Sequence, residues 1–202
     1  MYLNGLCFIT DKTYGDLLLY DMVNKVLSAG VRWVQYREKD LSRRQLYENA
    51  LNLRKLTRHF NATLIINDHA DIAIAVEADG VHLGQDDLPL KEARKIMGSR
   101  IVGISTHDLA QAKEAESGGA NYIGFGPVFH TTTKDAGVPK GVDNIRKIKE
   151  NVCIPLVAIG GINQDNVASV ISSGADAVAV ATAICKGDVM VNAEKFVRFF
   201  NK

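Results

Sequence analysis

Gln35, Arg37 and Lys39 stand at alternate positions after an apolar run that begins at Val31. Side chains of a strand alternate between its two faces. An amide, a guanidinium and an ammonium therefore project along one line with Val31 and Trp33, while Tyr36 and Glu38 take the other face. Arg grips phosphate oxygens with a planar fork, and Lys adds a point charge. The stretch Gly124–Gly141, GFGPVFHTTTKDAGVPKG, offers a second anion-binding set. It extends the strand-like run Ala120–Phe125 into a segment with no helical or strand period, where Thr131, Thr132, Thr133 and Lys134 stand in a row. Hydroxyls, backbone N–H groups and one ammonium suit a phosphate or diphosphate. A structureless connection of this length inside a compact domain is functional or disordered.

Asp68 and Asp87 each follow a short apolar run. Beside a diphosphate, two such carboxylates suit Mg²⁺, which keeps several waters and takes one or two carboxylates plus substrate oxygens. Each could instead cap the helix that follows it. Asp86 reads as the bystander of the Asp86-Asp87 pair, although the sequence alone does not separate the two. His69, His82 and His107 lack zinc-ligand spacing. His82 has the parity of an inward-facing residue and reads as a satisfied core histidine rather than a catalyst. Asp79 reads as a turn or structural hydrogen-bonding residue, and Gly84 as a point where a ligand could approach the backbone. Gly160-Gly161 and Ala181-Thr182 follow the last two apolar runs. Such positions often form a phosphate site with a short helix N-terminus. A second anion site implies two phosphorylated substrates or one bisphosphorylated one; by itself the glycine pair is also a tight turn.

These residues need a scaffold that brings strand ends together. Candidate strands are Leu6–Thr10, Val31–Arg37, Thr63–Asn67, Gly80–Leu83, Ile101–Ser105, Tyr122–Gly126, Leu156–Ile159 and Ala177–Val180. Amphipathic stretches separate them. Leu46, Leu53 and Leu56 share a helical face, and Ala110, Lys113, Glu114 and Ser117 suit another helix, with Asp108 to cap it and Gly118 to end it. Pro89 suits a first helical position. Eight strands alternating with helices over residues 1–202 predict one α/β domain, a (β/α)8 TIM barrel with its chemistry at the C-terminal strand ends. A doubly wound open sheet is the competitor, but no G-x-G-x-x-G fingerprint follows the first strand.

With 47% apolar and 23% charged residues, the 202-residue chain can bury a sizeable core. A formal charge of +1 without a basic block argues against nucleic acid as a partner. Cys7, Cys153 and Cys185 form no metal or CxxC pattern and read as buried free thiols of a reducing compartment. The N-terminus lacks the basic start of a signal peptide. The most apolar stretches fall short of the ~20 residues that span a bilayer. A cytoplasmic protein without a membrane partner is expected.

Taken in order, Ile9-Thr10-Asp11, VQYREKD (Val34–Asp40), INDHADIA (Ile66–Ala73), ADGVHLGQDD (Ala78–Asp87), VGISTH (Val102–His107), GFGPVFHTTTK (Gly124–Lys134), AIGGI (Ala158–Ile162) and SGADAVAVATAI (Ser173–Ile184) resemble the thiamin phosphate synthase family over nearly the whole chain. The resemblance implies a transferase that condenses a hydroxymethylpyrimidine diphosphate with a thiazole phosphate, through a pyrimidine-stabilised carbocation, and releases diphosphate. Carried over by position, it implies that Gln35, Arg37, Lys39, Asn67, Thr133 and Lys134 hold the diphosphate and that Asp68 and Asp87 hold Mg²⁺. Ser105 would lie beside the pyrimidine and the leaving group. Thr131, Gly161, Ala181 and Thr182 would hold the thiazole phosphate, the last three largely through backbone groups. Arg37, Lys39, Ser105 and Lys134 would be the catalytic set, with His107 on the pyrimidine side. The related thiazole tautomerases carry a histidine just after the sixth strand, where this chain has Pro127. A metal-free tautomerase and a non-catalytic binder of thiamin phosphate are the alternatives, and a homo-oligomer is left open.

Overall fold

Short β-branched runs flanked by amphipathic stretches have one compact solution: strands inside, helices outside. The structure is a computed structural model that describes residues 3–11, 17–131 and 137–200. Its strands are β1 (Gly5–Ile9), β2 (Trp33–Tyr36), β3 (Thr63–Asn67), β4 (Gly80–Leu83), β5 (Ile101–Thr106), β6 (Tyr122–Phe125), β7 (Leu156–Ile159) and β8 (Ala177–Val180). They pair in parallel in chain order, and β8 closes onto β1. Around this (β/α)8 barrel run α1 (Leu19–Ser28), α2 (Arg43–His59), α3 (Ala70–Ala75), α4 (Leu90–Met97), α5 (Leu109–Ser117), α6 (Asp143–Lys149), α7 (Val167–Ser172), α8 (Thr182–Cys185) and α9 (Val189–Val197). Among the described residues no helix is long and apolar enough to cross a membrane.

The period-two alternation of the strands sorts the core into two layers. Cys7, Ile9, Trp33, Ile65, Tyr122, Val157, Ala177 and Ala179 fill the barrel interior. Phe8, Val34, Tyr36, Leu64, Val81 and Val178 face outward and meet the helices. α2 buries Leu46, Ala50, Leu53 and Leu56 against that layer and starts with a capping box in which Ser42 and Gln45 satisfy each other's backbone N–H groups. α5 has the expected cap, Asp108 accepting from Gln111 N, and ends at Gly118.

The differences from the sequence reading are local. β2 begins at Trp33, so Val31 lies before the strand and packs among the outward-facing residues rather than in line with Trp33 and Gln35. Pro89 stands just before α4, at its N-cap. Cys7 and Cys185 are buried free thiols, but Cys153 is exposed in the turn that leads into β7.

The amino-terminal mouth of the barrel is held by a recurring clasp. Asp79, just before β4, donates its N–H to Leu64 O (3.0 Å) and accepts the Leu64 N–H on its carboxylate (2.7 Å). The same carboxylate pairs with Arg54 of α2 at 2.6 Å. Before β6, Asn121 exchanges the same two bonds with Val102, both 2.8 Å, and takes a third from Arg94 of α4. Before β8, Asp176 does so with Leu156 and pairs with Lys149 of α6 at 2.7 Å. Each clasp ties two strands to the helix preceding the first of them. Before β2 the corresponding residue is Arg32, a pure donor, which turns back to Leu27 O and Val31 O.

Arg54 and Asp79 side chains are only 13% and 17% exposed. Asp79→Ala would strand a nearly buried cation and a strand N–H, so a loss of about 3 kcal/mol is expected. Urea unfolding of the variant beside the wild type measures it.

Candidate active site

At the carboxyl ends of the strands lies a cavity of about 380 Å³. Its wall includes Thr10 and Asp11 after β1, Arg37 after β2, Asp86 after β4, Ser105, Thr106 and His107 at the end of β5, and Thr131. Gly160, Gly161 and Ile162 after β7 and Ala181 and Thr182 after β8 complete it. Of the residues singled out from the sequence, Arg37, Ser105, Thr131, Gly161, Ala181 and Thr182 border this space directly.

Gln35, Lys39, Asn67, Asp68 and Asp87 do not line it. They form an adjoining cluster on the β2–β3–β4 side. The inward-pointing Gln35 donates from Nε2 to Asn67 Oδ1 at 2.8 Å, joining the tips of β2 and β3. Asp68 and Asp87 lie within hydrogen-bonding reach of each other. Burial first, then the shared hydrogen bond and the charge of Asp87, push the Asp68 carboxyl up from 3.8 to about 6; Lys39 and Arg37 pull it back. Thr133 and Lys134 lie outside the described residues.

Neither aspartate caps a helix. α3 is preceded by His69 and α4 by Pro89, and neither N-cap carries a side-chain bond. Asp68 instead sits in the left-handed region at φ 63°, where Asp is one of the few side chains tolerated. Its N–H is donated to His82 O at 2.8 Å. The Asp87 carboxylate accepts the Gly84 N–H at 2.6 Å. The close approach that Gly84 allows is therefore made by Asp87, since a Cβ there would stand 3.1 Å from Asp87 Oδ2.

The loops after β6 and β7 are fastened together, which carries Thr131 to the cavity. Val128 N donates to Ile159 O and Phe129 N to Gly160 O, at 2.9 and 3.0 Å. Gly161 has φ 65°, and a Cβ on it would fall 2.3 Å from His130 O. The glycine pair is thus required by a backbone-on-backbone approach and not only by a turn. His107 also reaches this loop, its Nδ1–H donating to Gly126 O at 2.7 Å. In the neutral ring Nε2 is then the acceptor.

Several residues of the site were not singled out from the sequence. Thr10 donates its hydroxyl to Arg37 O (3.1 Å) and accepts Arg37 N–H (2.9 Å), so it pins the backbone that carries Arg37. A hydroxyl and a carboxylate at the end of the first apolar run were the available signal. Asp86, read as a bystander, borders the cavity, while Asp87 meets Asp68. Asp79 is structural, as expected. Among the described residues no group of three or more His, Cys, Asp or Glu side chains gathers as a metal cage.

The family model described as thiamine monophosphate synthase matches residues 6–184. The thiamine-phosphate synthase of Chloroflexus aurantiacus is 48% identical over 178 residues, 88% of this chain and 82% of its own length. That of Clostridium novyi is 44% identical over 193 residues, 94% of this chain and 95% of its own. The solved thiamine phosphate pyrophosphorylase from Pyrococcus furiosus superposes with a TM-score of 0.89 at 38% identity, covering 96% of this chain and 94% of that one. The matched stretch runs from β1 into α8 and so spans the barrel and the strand ends described above: the chain belongs to the thiamine monophosphate synthase family, whose members are transferases.

Proposed function

We propose that this chain joins a hydroxymethylpyrimidine diphosphate to a thiazole phosphate, forming thiamin phosphate and releasing diphosphate. The observation that carries the reading is the juxtaposition of the Asp68–Asp87 pair, the Arg37 and Lys39 cations and the adjoining cavity. The cavity suits two ring systems. The cluster beside it suits a polyanion. In the proposed reaction the bond between the pyrimidine methylene and the diphosphate oxygen breaks, and its electron pair leaves with the diphosphate. The pyrimidine ring stabilises the resulting cation, and the thiazole nitrogen lone pair closes the new C–N bond.

In this reading Gln35, Arg37, Lys39, Asn67, Thr133 and Lys134 grip the diphosphate and neutralise the charge it gains as it departs. Ser105 contributes a hydroxyl at the junction of pyrimidine and leaving group. The opposite wall, with Thr131, Gly161, Ala181 and Thr182, receives the thiazole phosphate. The two carboxylates fit Mg²⁺. They form an all-oxygen pair in which Asp87 adds to the cost of ionising Asp68, and a divalent cation would relieve that cost. Bound there with the substrate oxygens, Mg²⁺ would supply further charge stabilisation for the leaving group. Closure of the cavity against water would protect the cation from hydrolysis.

Arg37→Ala and Lys134→Ala are each expected to lower kcat by about 10²-fold or more while leaving the far-ultraviolet circular dichroism unchanged. Near-wild-type diphosphate release by both would remove the proposed diphosphate site. EDTA should abolish release and Mg²⁺ restore it.

The acidic pair makes its own prediction, readable without turnover. The folded Asp68 carboxyl titrates at about 6, above its ordinary 3.8, so between those values the folded state holds a proton that the unfolded state has lost. Without metal, stability therefore falls as pH rises from about 4 through about 6. Asp68→Asn, which suits the left-handed backbone, should match the wild type near pH 4 and melt higher above pH 7 in EDTA. Mg²⁺ should raise the Tm of the wild type above pH 7 and not that of the variant. A wild-type Tm that is insensitive to Mg²⁺ would count against the metal site.

A further inference from the structure

Running up the barrel interior beneath the cavity is a line of polar side chains that the proposed reaction does not explain. Tyr122 Oη lies 2.9 Å from His82 Nδ1, and His82 Nε2 lies 2.9 Å from Ser105 Oγ. The His82 and Tyr122 rings are stacked at 5.4 Å between centroids, and the edge contact of Trp33 holds Tyr122 from the other side at 5.2 Å. Two glycines make the space. A Cβ on Gly103 would fall 2.1 Å from Tyr122 Cζ, and one on Gly124 would fall 2.9 Å from His82 Cε1. Neighbouring strands have thus given up side chains to seat these two rings.

A serine bonded to a histidine looks like an activated nucleophile. Here the direction of the hydrogen bonds points the other way. Tyr122 is fully buried, and burial holds its phenol well above the ordinary value, so the hydroxyl keeps its hydrogen. Among the described residues its hydrogen-bond partner is His82 Nδ1 and no other. A buried O–H with one partner donates to it; the reverse arrangement would leave that hydrogen with no acceptor. Nδ1 is therefore an acceptor, and the neutral ring carries its hydrogen on Nε2. Nε2–H then donates to Ser105 Oγ. The Ser105 hydrogen is left over, and Ser105 borders the cavity.

We propose that Tyr122 and His82 are positioning residues for Ser105: a one-way hydrogen-bond chain that occupies the serine oxygen from below and fixes its hydroxyl as a donor into the cavity, not as a nucleophile. In the reaction proposed above, the acceptor is the oxygen that departs with the diphosphate or a ring nitrogen of the pyrimidine. Only the identity of that acceptor rests on the proposed function; the direction of the chain does not.

The direction can be read in the free protein by two-bond ¹H–¹⁵N correlation spectra of histidine-labelled enzyme, with His82 assigned by its loss in His82→Gln. His82 should show the Nε2–H tautomer. His107, whose Nδ1–H donates to a carbonyl, should show the opposite one and serves as an internal control. An Nδ1–H tautomer or a doubly protonated ring at His82 overturns the proposal. Tyr122→Phe should remove the tautomer bias and lower kcat about tenfold with KM for the pyrimidine diphosphate little changed. In a Ser105→Ala background it should lower kcat no further. An equal drop in both backgrounds would mean that Tyr122 acts only through packing, and the proposal fails. A wild type that released no diphosphate would instead sink the proposed function and leave the tautomer result standing.

Discussion

Eight parallel strands closed on themselves impose the constraint from which the rest of this molecule follows. Every second side chain points into a space too narrow for anything but other side chains, and the rest point at helices. No room for a ligand is left along the strands, so ligand chemistry is pushed to their ends. Because all the strands run the same way, residues far apart in sequence, such as Arg37, Asp68, Asp87 and Ser105, reach the same rim. The opposite rim carries the clasps of Asp79, Asn121 and Asp176. Stability and chemistry are thereby assigned to different ends of one cylinder, and each can use charged groups without disturbing the other.

At the functional rim, like charges are concentrated rather than dispersed. Asp68 adopts a left-handed backbone and raises its own ionisation cost by facing Asp87. Strain and repulsion of this kind persist only where the surrounding structure over-determines them. Here the fixtures are backbone bonds: Gly84 N to the Asp87 carboxylate, Asp68 N to His82 O, and Thr10 across to Arg37. The site is held by the frame and does not hold itself.

Most of this frame was legible in the sequence. Thr63–Asn67, Gly80–Leu83, Leu156–Ile159 and Ala177–Val180 coincide with β3, β4, β7 and β8, because short β-branched runs bounded by polar residues leave little choice of boundary. Val31 was misassigned since an apolar residue just before a strand follows the same alternation as one inside it. Cys153 was misplaced because composition places thiols on average and the turn before β7 places this one. The inward set Gln35, Asn67 and Ser105 was legible from parity and family resemblance. The work of Thr10, the seating of Tyr122 and the reason for Gly84 were not. Each depends on a contact across strands, and residue type and spacing do not encode which partner a hydroxyl or an N–H will meet.

The clasp that secures the amino-terminal rim at β3–β4, β5–β6 and β7–β8 is missing from β1–β2, where the Arg32 side chain has no oxygen to offer. That is also where the two ends of the chain come together: Phe200 packs near Gly5 and Val197 near Gly30. The cylinder thus has a seam: among the described residues β1 and β2 are joined at the amino-terminal rim by strand pairing and apolar contact and at the other rim by Thr10 and Arg37, whereas β3–β4, β5–β6 and β7–β8 are each also riveted to a helix. Fluctuations that expose amide hydrogens to solvent should begin at the seam and spread away from it. Since β2 leads directly into Arg37, breathing at the floor of the barrel and the placing of the Arg37 side chain at its ceiling are motions of one and the same strand.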